Sequence, residues 1–177
     1  MTIATAMVTG CSSDSGGTGT TAPPASTAAS APAAGSTTPV SARQRKPNSC
    51  NVITVAEAGA ALGQTVSAPR RGKAMVEGGV ACVFYGPKAP ASESPDLATY
   101  DVVRVVLVTG PNAKKWFDDY RGKVNAQPVS GLGDAAFYDG YASISVLKGD
   151  AYVRIAVGTA PNLSQEKTLA MDALPRM

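Results

Sequence analysis

The chain has 177 residues, room for one domain of ordinary size, with 16 Lys and Arg against 13 Asp and Glu, three Cys and no His. Of the net charge of +3, Arg43, Arg45 and Lys46 against Asp14 supply +2 before Asn48, so the rest is close to neutral and too weakly basic to recruit nucleic acid. Without histidine the chain lacks the commonest general base and the commonest metal ligand.

Residues 1–11, "MTIATAMVTGC", hold a short apolar run and then small residues ending on Cys11. The run Val8, Thr9, Gly10, Cys11 resembles the lipobox of bacterial lipoproteins, whose cysteine is acylated and becomes the first residue after cleavage. No Lys or Arg precedes Cys11, and ten residues are short for an export signal, so this reads as a truncated signal peptide whose basic n-region is expected upstream. The competing reading of Cys11 is a free thiol. Residues 12–47 are almost entirely Ser, Thr, Ala, Gly and Pro, too poor in apolar side chains to offset the entropy of ordering, and predict a disordered tether. A flexible coil of that length spans roughly 30 to 35 Å, enough to lift a small domain off a bilayer. The Thr-rich "TGTTAPPAST" reads as a plain spacer or as a site for O-linked sugars, and "RQRK" as a solvated linker end or a contact for acidic head groups.

Residues 48–177 are expected to form a single α+β domain. Thr54 followed by Glu57 spells a capping box opening the helix "VAEAGAAL", and Gly63 supplies its left-handed close. "GGVACVFYG" reads as a strand. For an exported domain the two cysteines beyond the anchor, Cys50 and Cys82, predict one disulfide closing a loop of about 33 residues. "YDVVRVVLVTG" is apolar on both alternating faces except at Arg104, which predicts a central strand. Asn112 then caps a helix whose Ala113, Trp116, Phe117, Tyr120 and Val124 form one stripe. "AAFYD", "YASISVL" and "AYVRIAV" read as three strands, the last two joined by a tight turn at Lys148, Gly149 and Asp150. In the last of them Val153, Ile155 and Val157 share one face, and Tyr152 with Arg154 the other, the pattern of a sheet covered on one side. A final helix over Asn162–Leu174 turns Leu169, Ala170, Ala173 and Leu174 inward, and Pro175 ends it. Hairpin-length connections favour an antiparallel sheet with helices packed mainly on one face.

Few motifs carry chemistry. "GLGDAA", Gly131 to Ala136, has the glycine spacing of a dinucleotide fingerprint, but a β-like segment follows where the phosphate-binding helix should start, so it reads as a turn with Asp134 bonding local backbone. Asp118 with Asp119 lies among Lys and Arg on a solvated helix face, and Asp134 with Asp139 lacks the dense oxygen set of a calcium loop. No metal or cofactor is expected. Arg70, Arg71 and Lys73 in a predicted loop, "PRRGK", are the densest basic cluster of the domain and fit a phosphate or lipid head group or a plain charged surface. Tyr100, Tyr138, Tyr141 and Tyr152 are the aromatic residues suited to a pocket mouth, with Tyr138 and Tyr152 the candidate ligand contacts.

Together "VTGC", the tether, "SCNVITVAEAGAALG", "GGVACVFYG", "GLGDAAFYD" and "VLKGDAYVRIAVG" resemble small actinobacterial cell-envelope lipoproteins, of the mycobacterial type, grouped as domains of unknown function. The resemblance implies a protein held on the outer face of the membrane by an acylated Cys11. With no catalytic constellation in the sequence, the expected function is a non-catalytic module binding a lipid, glycolipid or other small amphiphile. The alternative is an accessory protein that docks an envelope protein complex through one sheet face.

Overall fold

Thr54 opens the first helix as the spacing predicts: its hydroxyl accepts from the Glu57 amide at 3.2 Å while the Glu57 carboxylate accepts from the Thr54 amide at 2.8 Å. This helix, α1 (Val55–Leu62), closes on Gly63 at φ 67°, the left-handed region that glycine enters without a Cβ penalty. The computed structural model describes residues 46–89, 101–158 and 162–177; Cys11, the tether up to residue 45 and Tyr100 lie outside the described residues. All described residues belong to one compact unit, Ala42–Met177.

After α1 come β1 (Arg70–Lys73), β2 (Val80–Tyr85), β3 (Val102–Thr109), α2 (Ala113–Arg121), β4 (Gln127–Pro128), β5 (Ala135–Tyr138), β6 (Ile144–Lys148), β7 (Ala151–Val157) and α3 (Leu163–Ala173), then a 3-10 turn over Leu174–Arg176. The strands form one antiparallel sheet in the order β1-β2-β3-β7-β6-β5-β4. The two most apolar strands, β3 and β7, pair at its centre over seven residues, from Val103 opposite Val157 to Thr109 opposite Ala151. The α+β class, the antiparallel sheet and the single disulfide stand as the sequence implies.

Strand alternation sends Val103, Val105, Val153, Ile155 and Val157 to one face, where Ala58 of α1 and Leu169, Ala170 and Ala173 of α3 cover them. The opposite face is not left to solvent. Ala113, Phe117 and Tyr120 of α2 pack there on Phe137, Leu147 and Tyr152, and Phe117 meets both Phe137 and Tyr152 edge-on at 5.0 and 5.7 Å. Further along that face Ala74, from the β1–β2 connection, lies on Ala81 and Val106. The one-sided sheet expected from β7 is therefore corrected: all seven of its residues are buried, because α2 and the β1–β2 connection roof the side that carries Tyr152 and Arg154.

Other local expectations also change. Arg70, Arg71 and Lys73 lie in edge strand β1 rather than a loop, since backbone pairing with β2 sets its conformation whatever the side chains. Asn112 sits in a right-handed helical conformation and makes no capping bond. The "GLGDAA" glycines do form a turn into β5. Asp134, however, bonds distant rather than local backbone, its Oδ2 accepting from the Gly149 amide at 2.6 Å. A side chain at Gly133 would meet the Leu147 carbonyl oxygen at 2.3 Å, so only glycine lets this turn close on the β6–β7 hairpin.

Cys50, just before α1, is bonded to Cys82 in β2, with Cα atoms 5.1 Å apart and a sequence separation of 32. Loop-closure entropy gives such a cross-link up to about 3.5 kcal/mol. Replacing both cysteines with alanine is expected to lower the unfolding free energy obtained from urea titration by most of that amount; an unchanged free energy means the unfolded chain was already restricted there. At the far end Arg176 bonds the Glu57 carboxylate at 2.6 and 2.8 Å and the Val52 carbonyl at 3.1 Å, which ties the C-terminal turn to α1. This pairing, chiefly, holds the Glu57 carboxyl down at about 2.

Candidate functional site

Arg104 and Arg154 are the two charges inside otherwise apolar central strands. Arg104 faces Ala156 across the β3–β7 ladder and Arg154 faces Val106, so the pleat brings both guanidiniums to the α2 side of the sheet. Over them lies a pocket of about 210 Å³. Its floor is Arg104, Arg154 and Ala156, and its walls are Val76 from the β1–β2 connection, Tyr120 from α2, and Asp139, Ala142 and Ser143 from the β5–β6 connection. At the mouth stand Met75 and Tyr141, 72% and 73% exposed.

Beneath the pocket Arg154 is paired with Glu77, which is 2% exposed. Arg154 Nε lies 2.7 Å from Glu77 Oε1, and Nη2 donates to Oε2 at 3.1 Å. The Arg154 guanidinium also stacks over the Tyr120 ring, 4.5 Å from its centroid. Burial disfavours the charged arginine, but Glu77, Tyr152 and Tyr120 together outweigh it and keep the Arg154 pKa above its ordinary value. Tyr152 contacts Glu77 Oε1 and the Ser145 hydroxyl through its own hydroxyl, each at 3.3 Å. Burial, then the Glu77 charge, push its phenol pKa up, so Tyr152 remains a neutral donor.

Asp139 organises the wall. Its Oδ1 accepts from the backbone amides of Tyr141, Ala142 and Ser143 at 2.8, 2.8 and 3.0 Å, and its Oδ2 from the Ser143 and Tyr120 hydroxyls at 2.5 and 2.9 Å. Burial pushes the Asp139 pKa upward, but the Ser143 hydroxyl and these amides outweigh it and hold the carboxyl below the usual range. Asp139 thus spends both oxygens on fixing the 139–143 segment and on locking that segment to α2.

The candidate contacts read from sequence land in different places. Tyr141 lines the pocket. Tyr152 is fully buried below it, and its hydroxyl is committed to Glu77 and Ser145, so the expected ligand contact is corrected to a supporting role. Tyr138 is likewise buried and donates to the Tyr141 carbonyl at 2.6 Å, which holds the segment carrying Tyr141 rather than reaching a ligand. Arg70, Arg71 and Lys73 do not line the pocket: Arg70 and Arg71 are exposed on the sheet edge, and Arg70 stacks over Tyr85 at 5.4 Å. Lys73 contributes its carbonyl, which accepts from Arg104 Nη2 at 3.5 Å. Arg104, Arg154, Glu77 and Met75 were not anticipated as site residues. Arg104 and Arg154 carried a signal, charge within apolar strands; Glu77 and Met75, in a six-residue connection, carried none.

A second, more open hollow of about 470 Å³ runs beside α1 along Val55, Ala56, Gly59 and Ala60, and no charged side chain lines it. It lacks the convergent polar groups that orient a small ligand. No family model matches the chain, and no curated protein is significantly similar to it. Fold and site together define a small disulfide-linked α+β domain with a polar-floored, apolar-rimmed pocket on the less fully covered face of its sheet.

Proposed function

We propose that the chain is an envelope lipoprotein of the actinobacterial type, anchored by acylated Cys11, whose domain is a non-catalytic binding module for a small amphiphile. The observation that carries this reading is the pocket, with two guanidiniums at its floor and exposed Met75 and Tyr141 at its mouth, an arrangement that matches a molecule with a polar end and an apolar one. The non-catalytic part is supported by how the titratable groups are used: Glu77 and Asp139 are taken up by partners that fix the wall and floor. The anchor and tether are supported by the "VTGC" run and the composition of residues 12–47.

Native mass spectrometry of the full chain, exported in an actinobacterial host and measured before and after organic extraction, tests both parts. The expected result is an extractable adduct on the domain together with an acyl mass that is lost in Cys11→Ala. A protein without an adduct before extraction overturns the binding module and favours docking to an envelope complex; an unmodified Cys11 overturns the anchor.

A further inference from the structure

The N-terminal segment enters the domain beside the most basic strand of the sheet. Residues 46–51 are pinned to β2 twice: the Ser49 hydroxyl donates to the Val80 carbonyl at 2.6 Å, and Cys50 is bonded to Cys82. Val80 and Cys82 are the partners of Lys73 and Arg71 in the β1–β2 ladder, and directly opposite residues of an antiparallel pair project to one face. Exposed Lys46 and the cationic edge strand therefore share one side of the domain.

Arg70, Arg71 and Lys73 are exposed, and Arg70 stacks over Tyr85. Among the described residues none of the three is in an ion pair. The acids of residues 46–80 are Glu57 and Glu77, each already bound to an arginine from β7 or the C-terminal turn, so neither offsets the edge. The same hairpin shows apolar side chains beside its cations: Val80, opposite Lys73, is 47% exposed, and Met75 protrudes two residues further on. A charged edge discourages pairing with another strand, which argues against a protein strand as partner. Cations interspersed with protruding apolar side chains fit an anionic lipid surface, which attracts the charge and takes the apolar tips between its head groups. We propose that the β1–β2 hairpin rests on an anionic bilayer, with Arg70, Arg71, Lys73 and Lys46 over the head groups and Met75 and Val80 at the contact. This turns the pocket mouth, which shares Met75, towards the lipid. The inference rests on the preceding reading that the chain is held at a membrane, and it specifies which side of the domain faces that membrane.

The test is co-sedimentation of the full chain carrying Cys11→Ala, so that no acyl group contributes, with vesicles of phosphatidylcholine or of equal parts phosphatidylcholine and phosphatidylglycerol. At about 0.1 M salt, where the Debye length is about 10 Å, the mixed vesicles are expected to bind about tenfold more tightly or better; at about 1 M salt the difference should vanish. Arg71→Gln with Lys73→Gln, both exposed on a sheet edge, should weaken binding to mixed vesicles roughly twentyfold, about fivefold for each cation. Lys114→Gln with Lys115→Gln on α2 changes the net charge equally and should cost no more than about twofold. Equal losses in the two variants mean that net charge drives binding, and overturn the β1 surface. Undiminished binding of the Arg71, Lys73 variant also overturns it, as does indifference to phosphatidylglycerol. The anchor is read separately: an acyl mass on Cys11 with indifference to phosphatidylglycerol keeps the anchor and fails the surface, whereas an unmodified Cys11 with the expected vesicle binding keeps the surface and fails the anchor.

Discussion

Replacing Glu166 with methionine is expected to stabilise the domain, by an amount that grows by about 5 kcal/mol between pH 4.5 and a pH above 8. Glu166 lies on the inner stripe of α3 with Leu169, Ala170 and Ala173; it is 0% exposed, and among the described residues neither carboxylate oxygen has a side-chain hydrogen-bond partner. Burial away from water disfavours the anion and lifts the carboxyl from its ordinary 4.5 to about 8, with the Val157 backbone opposing the rise and the Asp139 charge adding to it. A folded-state pKa above the unfolded one means that the folded protein keeps a proton which the unfolded chain releases. Stability is therefore highest below about pH 4.5 with respect to this group, falls as pH rises, and levels off above about 8. By pH 7 the loss is about 3 kcal/mol, a large share of the roughly 5 to 15 kcal/mol that stabilises an ordinary domain.

The chain is well suited to this measurement, because it has no histidine and so few groups other than Glu166 change charge between pH 5 and 8. Urea midpoints taken across that range should fall steadily in the natural protein and stay nearly level in Glu166→Met. Glu166→Gln, close in shape to the protonated acid, should also flatten the profile, although its buried amide keeps an unsatisfied polar cost. Parallel profiles for natural and substituted proteins would show that the carboxylate finds water or a partner when it ionises.

Glu77→Gln should act in the other direction and unfold the domain more readily by about 3 to 5 kcal/mol. The substitution leaves the Arg154 charge under the β1–β2 connection, 8% exposed, with Tyr152 and the Tyr120 ring as its neighbours and no counter-charge at 2.7 Å. Removing one member of a buried pair costs far more than the pair itself contributes, because the desolvation of the survivor is no longer offset. The double substitution Glu77→Gln with Arg154→Met removes both charges and should recover most of the loss. Thermal and urea unfolding of the four proteins in the cycle gives the coupling directly. A loss below about 1 kcal/mol for Glu77→Gln alone would mean that water enters the pocket and solvates Arg154 in place of Glu77.

These two carboxylates also mark how far local pattern reaches. Glu166 stands three residues before Leu169, on the stripe that helical periodicity assigns to the core, so its burial was open to view in the sequence; what hid it was the expectation that a charged residue turns away from that stripe. Glu77 offered no such clue. Its partner is 77 positions away, and the contact exists only because β7 is inserted beside β3 and the β1–β2 connection folds over both.

The sequence by itself determined the elements whose causes are local: the Thr54–Glu57 capping box, the Gly63 helix end, the apolar strands β3 and β7, the hairpin at Gly149 and the inward stripe of α3, all set by contacts within a few residues. With the cysteine count it also determined the Cys50–Cys82 pair. Only the tertiary structure decided the order β1-β2-β3-β7-β6-β5-β4, the placing of α2 on the face opposite α1 and α3, and so the roof over Tyr152 and Arg154. Strand pairing and layer packing join residues that are far apart in the chain, and alternation along a strand says which residues share a face without saying what will cover it. The pocket exists because that second cover comes from three separate segments that do not meet over Arg104 and Arg154.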